Sequence, residues 1–212
     1  MINYTPKLFV VIGSPASGKD ELIQAVNSLG QLHACVVPKH TDRKWRPDDG
    51  NEMICKQIPD RAGNLIDNPE YNMDSCEIQY NNYGSNYGVC VERIWDGLRD
   101  GVHQVLVVSN VDALNKLKQI FGSLAVFLYV YSETTKAQYM DKEREKFRKK
   151  NPGANAGSSD YLKKREENFD MAWKLYEDNF MLFDHVFIYS NRPEDLYDQI
   201  FRLFRYYEKR SS

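Results

Sequence analysis

The chain has 212 residues, 42% of them hydrophobic and 13% aromatic, which is enough apolar side chain to bury one sizeable core. With 28 basic residues against 30 acidic and a formal net charge of -2, it lacks the global positive field of a non-specific nucleic-acid binder, so any anionic ligand has to be held locally. Cys35, Cys55, Cys76 and Cys90 form no C-x-x-C pair and suit buried thiols of a reducing compartment better than a disulfide frame or a zinc site.

In chain order, the first element is the apolar run "LFVVI" at 8–12, a strand buried on both faces, followed by a helix at 19–29. A second strand is predicted at 33–37, and then the rhythm breaks: 39–88 is rich in Asn, Asp, Gly and Tyr, with short strand candidates only at 53–55 and 76–80. Alternation resumes with a helix at 89–100, a strand at 104–108, a helix at 111–121 and a strand at 125–131. Charged helices follow at 133–149 and 160–183, separated by "KKNPGANAGSSD", whose composition marks a flexible tip. A last strand at 185–189 and a helix at 193–209, with Pro193 at its start, complete the pattern. Strand, helix, strand in repetition predicts an α/β fold with a parallel sheet flanked by helices. The polar start Met1–Pro6 and the shortness of the longest apolar run, "LAVFLYVY", argue against a targeting signal and a membrane span, so the expectation is a cytoplasmic protein.

One motif carries chemistry. "GSPASGKD" (13–20) fits G-x-x-x-x-G-K, follows a predicted buried strand and opens a predicted helix. Gly13 and Gly18 allow backbone angles that let the N–H groups of Ser14, Ala16, Ser17 and their neighbours converge on phosphate oxygens, and Lys19 reaches the outer phosphates. The residue after the lysine is Asp20, where Ser or Thr usually ligates Mg²⁺, and the strand 104–108 ends "VLVVSN" without a carboxylate. Two roles for Asp20 stand side by side: it supplies the missing negative charge to Mg²⁺, or it caps the helix.

This loop, with "HTDRKWRPDDGNE" (40–52), "YGSNYGVCVERIWDGLRDG" (83–101) and the charged segment near 140–165, resembles the guanylate kinase family in nearly collinear order over essentially the whole chain. The Gly-Lys-Asp loop and "IQYNNYGSNYGVCVE" are most similar to its ribose 1,5-bisphosphate kinase branch. The resemblance implies a nucleoside-monophosphate-kinase-like domain over 1–212, with a core of 1–38, 89–135 and 183–212, an acceptor-binding insert at 39–88 and a helical lid at about 136–182. It implies ATP as co-substrate, Mg²⁺, and transfer of the γ-phosphoryl to a phosphate on a small acceptor. GMP is the family default and ribose 1,5-bisphosphate the alternative.

The resemblance also assigns roles. Arg43 and Arg46 engage the acceptor phosphate through planar forks, and Tyr87 donates its hydroxyl to it. Arg144 and Arg165 of the lid, with Arg148, stabilise charge on the transferring group, and Asn191 falls where the family contacts adenine. The carboxylates that read guanine fall at Gln79 and Ser109, with Glu77 and Asp112 as nearby substitutes, and a family tyrosine falls near Met53. A non-catalytic interaction module is the other function class, but such modules typically lose the loop lysine, and Lys19 stands here. The expected partner is a phosphorylated small molecule, with no nucleic acid and no membrane, for a monomer or homodimer.

Overall fold

The protein is described from a computed structural model that covers residues 4–28, 33–47, 49–82, 84–150 and 160–210. The predicted flexible tip falls largely on 151–159, outside the described residues.

The apolar runs form one five-stranded parallel sheet. Its strands are β1 (Leu8–Gly13), β2 (Ala34–Val36), β9 (His103–Val107), β10 (Ala125–Ser132) and β11 (His185–Tyr189), in the order β11-β10-β1-β9-β2. Every residue of β1 is buried because both faces are covered. Leu8, Val10 and Ile12 enter a core with Ile94 and Leu98 of α2 (Val91–Arg99) and Leu114 and Leu117 of α3 (Val111–Phe121). Phe9 and Val11 enter a second core with Leu22 and Val26 of α1 (Lys19–Ser28) and Leu196, Ile200 and Phe204 of α6 (Pro193–Arg210). Alternate residues of one strand therefore feed two cores, which is why the run is continuously apolar rather than alternating. With α4 (Lys136–Lys150) and α5 (Asp160–Asn179), six helices flank the sheet, as the sequence predicts for the fold class.

The polar stretch between β2 and α2 holds the two short strands expected there, one at 53–55 and one displaced by two residues from 76–80, and, among the described residues, four more that the sequence does not announce. β3 (Lys39–Thr41), β4 (Met53–Cys55), β7 (Ile78–Asn82) and β8 (Ser85–Val89) form a second sheet in the order β4-β3-β8-β7, and β5 (Gln57–Pro59) pairs with β6 (Leu65–Asp67). β7 and β8 are an antiparallel hairpin with Tyr80 opposite Tyr87. That pairing takes Val89 into a strand, so the helix predicted from 89 starts at Val91, where the Glu77 carboxylate accepts the Val91 N–H at 2.7 Å. Likewise α4 starts at Lys136 rather than 133. Thr135 and Gln138 close a capping box, with Thr135 N–H donating to Gln138 Oε1 at 2.9 Å and Gln138 N–H to Thr135 Oγ1 at 3.3 Å.

The two charged helices share a small core of their own, Tyr139, Met140 and Leu162 with Phe147 and Phe169. No helix among the described residues is long and apolar enough to cross a membrane.

Candidate active site

The site lies where β1 ends. A side chain on Gly13 would meet Val130 O at 2.6 Å, and one on Gly18, at φ +90°, would meet Tyr189 and Leu196 at 2.8 Å. Glycine is therefore required at both ends of the loop, and Ala16 between them also has a positive φ. Lys19 folds back over this loop: its Nζ donates to Gly13 O at 2.9 Å, Ser14 O at 2.6 Å and Ser17 Oγ at 3.2 Å. Burial holds its pKa down at about 8, against the pull of Asp20 and Glu21.

Beside the loop opens a cleft of about 460 Å³, walled by the second sheet on one side and α5 on the other. Arg43 enters it 11% exposed, paired with the Asp49 carboxylate, and its guanidinium donates to Lys44 O at 3.1 Å. Asp49 also accepts the Arg46 N–H at 2.8 Å and the Cys55 thiol at 3.6 Å, so one carboxylate fixes the local path of the arginine-bearing loop. Tyr87 is buried and stacks on Tyr80, with ring centroids 5.5 Å apart.

From the opposite wall, Arg165 reaches in. Its Nε lies 3.2 Å from Glu143 Oε2, and its guanidinium sits 5.1 Å from the Tyr161 ring centroid. Glu143 is buried on α4 and also accepts from Tyr161 Oη at 2.7 Å and Lys146 Nζ at 2.8 Å. Its burial works against ionisation, yet these partners and the Arg165 charge hold its carboxyl below the ordinary value.

The cleft brings together Lys19, Asp20, Arg43, Arg46, Tyr87, Ser109 and Arg165 of the sequence-derived set, and Met53 with them. Asp20 is exposed in the first turn of α1, and its carboxylate accepts no hydrogen bond from another described residue, so the helix-capping role finds no bond to rest on.

Other expected residues lie elsewhere. Glu77 is engaged in capping α2, and Gln79 donates to Met73 O at 2.9 Å and Cys76 O at 3.2 Å. Both point away because the pleat of β7 sends Ile78, Tyr80 and Asn82 to the other face, and it is Tyr80 and Asn82 that line the cleft. Arg144 is outside it, exposed and paired with Asp141 at 2.8 Å, because the α4 residue turned toward α5 is its neighbour Glu143. Asn191, also outside, has φ +62° in the turn after β11 and accepts from Thr134 Oγ1 at 3.2 Å. Asp112 is likewise not a wall residue of this cleft, and Arg148 is exposed on α4.

Sequence reasoning missed Lys39, Asp49, Tyr80, Lys164 and Asn168, all of which line the cleft. Lys39 carried a signal: a lysine directly after the apolar run "CVVP" and at even spacing from Thr41 and Arg43. Among the described residues no group of three or more His, Cys, Asp or Glu is placed to hold a metal on its own.

No protein-family model matches the chain, and no curated protein matches it. Among solved structures it is similar to the guanylate kinase from Anaplasma phagocytophilum, with a TM-score of 0.59 and 15% sequence identity, covering 97% of this chain and 87% of that chain. At that identity the likeness bears on architecture alone, and it shows that the chain has the guanylate kinase-like fold.

Proposed function

We propose that the protein is an ATP-dependent phosphotransferase that moves the γ-phosphoryl group onto a phosphate of a small acceptor. The observation that carries this reading is one cleft with a glycine-bounded phosphate loop and Lys19 at its base, Arg43 and Arg46 on one wall and Arg165 on the other. Lys19, Lys39, Arg43, Arg46, Lys164 and Arg165 outnumber Asp20, Asp49 and Glu52 there, and Asp49 is already spent on Arg43. Such a cleft is incomplete without phosphate, and two phosphates meeting in it need that excess of charge.

The residues also fit Mg²⁺. Asp20 offers beside the loop a carboxylate that no other described residue bonds, and magnesium keeps waters and takes nucleotide oxygens for its other positions, so no protein cage is needed. Bound there, the ion would neutralise charge on the nucleotide phosphates.

The acceptor wall favours a sugar phosphate over GMP. Two of the residues that the family likeness places against guanine are turned away, since Glu77 caps a helix and Gln79 faces the other side, while Tyr80, Lys39 and the Asn82 amide stand toward the cleft. Ribose 1,5-bisphosphate, implied by the local motifs, fits this donor-rich wall.

A coupled ADP-release assay with ATP and Mg²⁺ tests both levels. Turnover with ribose 1,5-bisphosphate well above GMP supports the sugar-phosphate reading, GMP as the better acceptor overturns it, and turnover with no phosphorylated acceptor overturns the kinase reading.

A further inference from the structure

We propose that Lys39 is a further catalytic residue, its ammonium contacting the phosphoryl group as this passes from nucleotide to acceptor. The inference rests on the kinase reading above.

Lys39 opens β3 and is 4% exposed, yet it lines the cleft. Its Nζ is fixed by a 2.6 Å hydrogen bond to Val107 O and lies 5.7 Å from the Tyr87 ring centroid. Val107 closes β9 and pairs with Val11, two residues before Gly13, so the ammonium is held at the strand end beside the phosphate loop. The same edge is where a strand carboxylate would steady the metal in the usual loop, and here the strand runs out into Val108 and Ser109.

The charges acting on Lys39 come from both substrates' sides. Lys19 and Asp20 belong to the nucleotide loop, Arg43 and Glu52 to the acceptor sheet. Burial is the largest influence and brings its pKa to about 8; Arg43 and Lys19 add to the lowering, Glu52 and Asp20 oppose it. No carboxylate among the described residues makes an ion pair with it. A buried ammonium with one of its three donors used, and without a paired counter-ion, is costly unless an anion arrives. The anion that arrives between the loop lysine and the acceptor arginine is the group in transit.

The step balances without proton transfer. An oxygen of the acceptor phosphate forms a bond to the γ-phosphorus, the bond from that phosphorus to the β,γ-bridging oxygen breaks, and its electron pair leaves with ADP. Lys39 keeps its proton and donates to an equatorial oxygen of the phosphoryl group, where charge is spread in the loose transition state.

The test compares wild type with Lys39→Met, of similar length but uncharged, and Lys39→Arg, which keeps charge. The readouts are affinity for ATP and for ADP with tetrafluoroaluminate, a planar phosphoryl mimic, together with the split between kcat and KM. The Met variant is expected to keep ATP affinity, to lose most of the extra affinity that tetrafluoroaluminate confers, and to drop kcat on the order of a hundredfold, with partial rescue by Arg. Should the Met variant not fold, Lys39→Gln carries the same comparison. Tetrafluoroaluminate affinity as in the wild type, or a loss confined to the acceptor KM, overturns the inference and leaves the kinase reading standing. Failure of the wild type to bind ATP at all overturns the kinase reading, and the inference with it.

Discussion

Asp49 offers a sharp perturbation because it holds Arg43, the residue proposed to bind the acceptor, without being expected to touch the acceptor itself. Its carboxylate is 9% exposed, paired with an Arg43 side chain 11% exposed, and it also accepts the Arg46 N–H. Replacing it with Asn keeps the shape and leaves the guanidinium partly buried without its counter-ion. Breaking a fully buried pair from one side costs about 3–5 kcal/mol, and the open cleft lets water recover part of that, so the expected loss for Asp49→Asn is about 2–3 kcal/mol. Removing both charges relieves the orphan, so Arg43→Met with Asp49→Asn is expected to be less destabilised than the two single losses added together. Urea unfolding at constant slope measures this cycle, and steady-state kinetics read the site: Asp49→Asn should raise the acceptor KM roughly tenfold with ATP KM little changed, a cost of about 1.4 kcal/mol in acceptor binding. A single variant that unfolds at the wild-type midpoint, or a double variant that loses the full sum, refutes the pairing argument.

Four further outcomes are expected. Lys19→Met should lower kcat on the order of a hundredfold or more while far-UV circular dichroism stays native, since its amine folds over loop carbonyls rather than into a core; near-normal turnover contradicts this. Asp20→Asn should raise the Mg²⁺ concentration for half-maximal rate roughly tenfold, and Asp20→Ser should recover only part of it, whereas three superimposed magnesium curves remove Asp20 from the metal site. Burial holds Lys19 and Lys39 near pH 8 where an ordinary lysine stays charged above 10, so kcat/KM should fall as pH rises through about 8, and a profile flat to pH 9.5 contradicts it. For the same reason the unfolded chain binds more protons than the folded one between about 8 and the ordinary lysine value of 10.5, so these lysines make stability rise with pH over the range in which activity falls.

The parallel sheet was legible because each of its strands contains an apolar run, and a strand such as β1 that feeds two cores is apolar throughout. The phosphate loop was legible because its glycines answer a backbone and space requirement that the structure displays at Gly13 and Gly18. The stretch between β2 and α2 was legible only in part: β4 falls on the short candidate at 53–55, whereas β3, β5 and β6 are three residues each and β6 is exposed throughout, so neither length nor alternation marks them. β7 shows a different failure. Its alternation was readable, but the resemblance points to Gln79 and the preceding Glu77 as ligand residues, whereas the face that packs Ile78 inward also carries Tyr80 to the cleft. On α4 one step of helical rotation decides the matter: Glu143 turns toward α5 and holds Arg165, and Arg144 next to it turns to Asp141. Lys39 stands at a readable place in the sequence, but what it does depends on Val107 and Tyr87, distant in the chain.

Transfer of a phosphoryl group from ATP to a phosphate already on the acceptor can be read by ³¹P NMR of the reaction mixture. With ATP, Mg²⁺ and ribose 1,5-bisphosphate, ADP signals should grow together with a new pair of mutually coupled diphosphate resonances from the acceptor, and both should be lost in Lys19→Met. ADP growing only with inorganic phosphate, or a spectrum unchanged with sugar-phosphate and nucleotide acceptors alike, would contradict it.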